Sequence, residues 1–178
     1  MLVDMKIAFI GMMGCGKSTI GEELHKKINL KYIDIDEYIE RNENKKITDI
    51  FNEKGEGYFR KIENNTIVEL SNKDNIILST GGGIIKNKDN INILKNKNFI
   101  IIFIERSIDK IAESIKSENR PLIKDNIDKL YSIYNEREKL YKDYSDYIIE
   151  NNDSLENAVD KIITLVKNVY GEIENKME

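Results

Sequence analysis

Covalent and rigid constraints are almost absent from this chain: its 178 residues include one cysteine and one proline. A lone thiol excludes an internal disulfide, and two Asn-x-Ser/Thr triplets, at Asn64 and Asn152, mean little in a chain so rich in asparagine. Long apolar runs are missing too. Phe99 to Ile104 is among the longest, far short of the ~20 residues that cross a bilayer. Met1 to Met5 lacks a basic segment leading into an apolar stretch, so a cytoplasmic protein without a membrane partner is expected. The single histidine, His25, has no second ligand residue one helical turn away and reads as a solvent-facing side chain without chemistry. Arginine is scarce, with five (Arg41, Arg60, Arg106, Arg120, Arg137) against 23 lysines, so each one raises the suspicion of a planar fork for a carboxylate or phosphate. With 28 cations interleaved among 32 anions and a net charge of −4, no basic face emerges, which argues against a nucleic-acid partner.

At 40% hydrophobic residues, the simplest organisation is one globular domain over 1–178, large enough to bury roughly two-thirds of its unfolded surface. Apolar runs read as strands at Met5–Ile10, Tyr32–Ile35, Asn75–Thr80, Phe99–Ile104 and Tyr147–Glu150. Between them lie helical patterns: Ser18–Asn29, Ile47–Phe51, Tyr58–Leu70, Ser107–Lys116 and Asp125–Tyr141. A last helix follows Asp153-Ser154, with Ala158, Ile162, Leu165 and Val169 as its apolar stripe. Strands alternating with helices predict an α/β fold.

Six of the ten glycines fall into two clusters. The first, Gly11-Met12-Met13-Gly14-Cys15-Gly16-Lys17-Ser18-Thr19, follows a strand and opens a helix, the setting of a phosphate-binding loop. Its glycines let successive N–H groups of Gly14, Cys15, Gly16 and their neighbours face one anion at a helix N-terminus. Lys17 then reaches the β- and γ-phosphates, Ser18 offers a hydroxyl to Mg²⁺, and Thr19 continues into the helix. Cys15 reads as a small loop side chain, not a nucleophile. The second cluster, Gly81-Gly82-Gly83, follows the third strand, and a ligand is the expected visitor to so bare a backbone.

Asp34 and Asp36 close the second strand, on the side where open α/β sheets bind ligands. One carboxylate would hold metal-bound water and the other a substrate hydroxyl; a helix N-cap role for Asp36 is the plainer reading. Arg60 and Glu63 share a helix face, either as a structural ion pair or as a carboxylate-binding arginine oriented by a glutamate. Glu118 to Ile123 holds the one proline and Arg120, a polar turn suited to a lid. Arg137 shares adjoining helix faces with Leu130, Ile133, Tyr134 and Tyr141, and an inward arginine needs an anion.

In order along the chain stand the loop at 11–19, Asp-x-Asp at 34–36, Ile-x-Asp-Ile-Phe at 47–51, Phe-Arg-x-x-Glu at 59–63, Gly-Gly-Gly at 81–83, Arg-Pro-Leu at 120–122 and Tyr-x-x-Arg-x-x-x-Tyr at 134–141. With these motifs the sequence resembles shikimate kinase, a branch of the nucleoside-monophosphate-kinase-like P-loop proteins, over about residues 5 to 168. The resemblance implies a three-layer P-loop fold: a five-stranded parallel sheet in order 2-3-1-4-5 with helices on both faces. It implies an acceptor-binding helical region at about 36–70 and a lid at about 117–126. It also implies transfer from ATP, with Mg²⁺, to the 3-hydroxyl of shikimate, a step of chorismate biosynthesis, by a monomer. Asp36, Arg60, Gly82 and Arg137 match the shikimate-holding residues, with Phe51, Phe59, Glu63, Gly81 and Gly83 around them. Ser18 and Asp34 match the metal site, Lys17, Asp36 and Arg120 the catalytic groups, and Arg120 the lid arginine on ATP. Members often carry another arginine before the lid, near the adenine; here only Lys116 is available. Competing readings are another small-molecule or nucleotide kinase on this fold and a silent ATP-binding module. A GTP switch would want Asn-Lys-x-Asp, and the Asn-Lys-Asp-Asn stretches at 72 and 87 place the aspartate one position early.

Overall fold

The computed structural model describes residues 4–117 and 127–177. Five strands form one parallel sheet: β1 (Lys6–Ile10), β2 (Lys31–Asp34), β3 (Ile76–Ser79), β4 (Ile100–Glu105) and β5 (Tyr147–Glu150), in the order β2-β3-β1-β4-β5. This is the expected order. Ile7 to Ile10 are fully buried, as are Ile76 to Leu78 and Ile101, Ile102 and Ile104, because interior strands of a parallel sheet are covered on both faces. β4 is interior, as its unbroken apolar run suggests, although β1 holds the centre. Phe9 is in register with Ser79, and Ile10 with Phe103. The strands are parallel, so all five carboxyl ends open on one edge.

Seven α-helices cover the sheet among the described residues: α1 (Lys17–Lys27), α2 (Ile35–Glu43), α3 (Ile47–Leu70), α4 (Lys88–Asn96), α5 (Ile108–Ser117), α6 (Ile127–Tyr144) and α7 (Leu155–Met177). In α1, Ile20 and Leu24 turn into the core, while Lys26 and Lys27 sit at the negative end of the helix. His25 is exposed as expected, and its Nδ1 donates to the Leu30 carbonyl at 2.6 Å. The α7 stripe is shifted from the expected one. Ala158, Val159, Ile162, Val166 and Tyr170 are buried, while Leu165 and Val169 lie at the margin, because the Tyr170 hydroxyl is drawn in to the Lys6 N–H at 2.8 Å.

The end of β2 differs from expectation. Ile35 belongs to α2, not to β2, since Asp34 ends the strand by capping the helix. The two helices expected on either side of Gly55-Glu56-Gly57 are found as the two arms of α3, parted by a kink where Gly55 takes φ 78°, ψ 170°. That left-handed, non-helical backbone is one that glycine tolerates. Arg120 and the rest of the expected lid beyond Ser117 lie outside the described residues.

Candidate active site

β1 delivers the chain into the loop at 11–16, whose Gly14 (φ 75°) and Gly16 (φ 102°) turn with positive φ before α1 begins. Lys17 is only 7% exposed, and its Nζ donates to the carbonyls of Gly11 (2.9 Å) and Met12 (2.8 Å). The cation is thus held on the rim of the loop by oxygen dipoles that an anion can replace. Asn151, which the sequence reading did not single out, and Arg106, one of its five scarce arginines, support the loop. Asn151, just after β5, donates from Nδ2 to the Cys15 carbonyl at 2.8 Å, and Arg106, just after β4, donates from Nη1 to the Gly14 carbonyl at 3.3 Å. The one sequence signal of Asn151 is position, immediately beyond a strand's carboxyl end; Arg106 shares that position and adds the scarcity of arginine.

Asp34 has two tasks. Its Oδ1 accepts from the N–H groups of Asp36 (3.0 Å) and Glu37 (3.3 Å), which caps α2, and its Oδ2 accepts from Ser18 Oγ at 2.7 Å. The N-cap of α2 is therefore Asp34, and Asp36 is left free of that role. The Asp36 carboxyl is enclosed, and its Oδ1 has no hydrogen-bond partner among the described residues. Burial, reinforced by the charges of Asp34 and Glu63, pushes it up to about 6.

The triple glycine is visited by the protein itself. A Cβ on Gly81 would stand 2.9 Å from Asp36 Oδ1, and one on Gly83 would collide with Arg60 Nη2. Bare backbone lets both side chains lie against it. The Gly82 carbonyl accepts from Arg137 Nη1 (3.1 Å) and Tyr141 Oη (2.6 Å), one turn apart on α6. Arg137 Nε is buried and has no partner among the described residues.

Arg60 Nη1 meets both oxygens of Glu63 at 3.0 and 2.9 Å, and the Glu63 side chain is completely buried. Burial raises the Glu63 carboxyl against the opposing pull of Arg60. The other edge of Arg60 reaches Glu56 at 3.2 and 3.3 Å, and Glu56 is also held by Lys86 at 2.7 Å. Phe51 and Phe59 pack with ring centroids 4.9 Å apart.

A cleft of about 310 Å³ joins Gly14, Gly16, Lys17, Ser18, Thr19, Asp34, Asp36, Gly81 and Gly82, with Arg106 on its border. Cys15 lies beneath it, fully buried. Arg60, Glu63, Gly83, Arg137 and the two phenylalanines stand outside that lining, linked to it through Gly82 and Gly83.

A phosphate-binding loop on the carboxyl edge of a 2-3-1-4-5 parallel sheet, facing a buried carboxylate, defines a phosphotransferase of the P-loop class. Comparison with known proteins narrows the class. A model of the shikimate kinase family matches residues 13–167. A shikimate kinase of Clostridium botulinum is 42% identical over 163 residues, covering 92% of this chain and 98% of that protein. The structure of the Aquifex aeolicus shikimate kinase superposes with a TM-score of 0.81 at 35% identity, covering 93% of this chain and 98% of that one. That of the Acinetobacter baumannii shikimate kinase in complex with shikimate superposes with a TM-score of 0.83 at 28% identity, covering 99% and 97%. The chain belongs to the shikimate kinase family. It is an enzyme of that kind, phosphorylating shikimate in aromatic biosynthesis.

Proposed function

We propose that the enzyme transfers the γ-phosphoryl group of ATP to the 3-hydroxyl of shikimate, with the roles below. The backbone N–H groups from Gly14 to Thr19, Cys15 included, seat the phosphate chain, and Lys17 leaves its carbonyl partners for the β- and γ-oxygens. Ser18 Oγ and Asp34 Oδ2, 2.7 Å apart, are hard oxygens suited to Mg²⁺, which takes few protein ligands and completes its shell with phosphate and water. Held there, Mg²⁺ would supply positive charge against the transferring group.

Shikimate sits between α3 and α6. Arg60 and Arg137 take its carboxylate, Glu63 fixes the Arg60 fork, Phe51 and Phe59 line the ring, and the glycines at 81–83 give close approach. Asp36 faces the 3-hydroxyl. As the O3–Pγ bond forms and the bond from Pγ to the β,γ-bridging oxygen breaks, Asp36 orients the hydroxyl and accepts its proton. Because such transition states are loose, positioning and charge stabilisation outweigh the strength of the base. Arg120, on a lid closing over ATP, adds charge and excludes water.

The observation that carries this reading is the enclosed, unpartnered Asp36 oxygen in the same cleft as Lys17 and the Ser18–Asp34 pair. Coupled measurement of ADP release with shikimate, gluconate and nucleoside monophosphates tests it. Turnover is expected with shikimate alone and is expected to vanish in Asp36→Asn. Comparable turnover with gluconate, or a fully active Asp36→Asn enzyme, would overturn the reading.

A further inference from the structure

Arg106 stands where β4 opens onto the phosphate-binding loop, in a chain that otherwise uses lysine for most of its positive charge. Its side chain is half-buried and borders the cleft together with Lys17, Ser18, Thr19 and Ser114. One of its five N–H donors is spent on the Gly14 carbonyl; Nε, out of reach of water, has no partner among the described residues. Nor does any described carboxylate pair with it. The nearest acid in sequence, Glu105, is engaged by Lys142 at 3.0 Å. A partly desolvated cation with no anion is costly unless an anion arrives. A neutral donor would serve to hold one carbonyl, so the Gly14 bond alone does not account for the guanidinium.

We propose that Arg106 is a nucleotide-binding residue whose guanidinium donates to phosphate oxygens of the nucleotide seated in the loop, with the Gly14 carbonyl holding the fork in place beforehand. This rests on the reading of the cleft as the nucleotide site. A planar guanidinium suits the role, since it offers paired donors to adjacent phosphate oxygens. The contact adds a fixed cation from the β4 side, whereas Lys17 belongs to the loop itself. It operates before the acceptor binds.

Calorimetric titration of MgADP into the full-length wild type, Arg106→Gln and Arg106→Lys, each at low and high salt, separates the possibilities. Glutamine retains a donor for the carbonyl without charge; lysine retains charge without the fork. The expected result is a roughly tenfold or larger rise in Kd for Arg106→Gln at low salt. That ratio is expected to shrink as salt screens the wild-type contact, with Arg106→Lys in between. Shikimate affinity and the melting temperature of the ligand-free protein are expected to stay near wild type. Unchanged MgADP affinity in Arg106→Gln, or a loss that is equal at both salts, would overturn the proposal and leave Arg106 as a clamp on the loop. Wild type that fails to bind MgADP at all would instead overturn the nucleotide reading of the cleft.

Discussion

Asp36 lies against Gly81 so closely that a single methyl group on that glycine would stand 2.9 Å from its Oδ1. The backbone of one motif is thereby the floor beneath the carboxylate of another, 45 residues away in the chain. Gly81→Ala should displace Asp36 while leaving the phosphate-binding loop in place. Since a misplacement of about 1 Å costs on the order of a hundredfold in rate, kcat is expected to fall by about that factor with the Kd for MgADP unchanged. Parallel loss of nucleotide affinity would show that the alanine disturbs the loop instead.

Removing the buried charge of Asp36 should stabilise the ligand-free fold even as it abolishes turnover. The folded protein holds the Asp36 proton up to about pH 6, whereas the unfolded chain releases it in the ordinary carboxylate range. Folding therefore binds protons in that window, and stability contributed by this group falls as pH rises through it. Asp36→Asn should gain on the order of 2–3 kcal/mol at pH 8 and clearly less at pH 5. Denaturant melts at the two pH values check this. An asparagine variant less stable than wild type at pH 8 would count against it.

Lys17 donates to the carbonyls of Gly11 and Met12. Lys17→Ala is expected to fold normally, by far-ultraviolet circular dichroism, and to lose at least about 10²–10³ in kcat, the scale for removing one transition-state donor. A kcat near wild type would remove Lys17 from the mechanism.

Arg60 and Arg137 come from α3 and α6 yet lie on successive residues, Gly83 and Gly82. If both serve one carboxylate, Arg60→Lys or Arg137→Lys should each cost about 1.5–3 kcal/mol, roughly tenfold to hundredfold in kcat/KM. The double variant should lose less than the sum, because the two forks share a target. Steady-state kinetics on all four enzymes, repeated with an acceptor analogue lacking the carboxylate, decides the matter. Strict additivity, or wild type accepting the analogue as well as shikimate, would separate the two arginines.

Local chemistry made much of this protein legible without coordinates. The loop at 11–19 announces itself because a tight anion nest needs glycines, a lysine and a hydroxyl at fixed spacing, all within one segment. The strands were visible because interior parallel strands are apolar on both faces, and the motif order was specific enough to name the family. The Ser18–Asp34 pairing followed from the motifs, but the contacts made through backbone atoms distant in sequence were not legible, because such atoms carry no residue-specific signal. That Asp34, not Asp36, caps α2 depends on where the strand ends. That the three glycines admit Asp36 and Arg60 depends on α2 and α3 lying beside the turn that follows β3, and that Asn151 and Arg106 brace the loop depends on β4 and β5 ending beside it. Sequence set the local propensities and the donor inventory; the parallel stacking of five strands decided which of those donors would face one cleft.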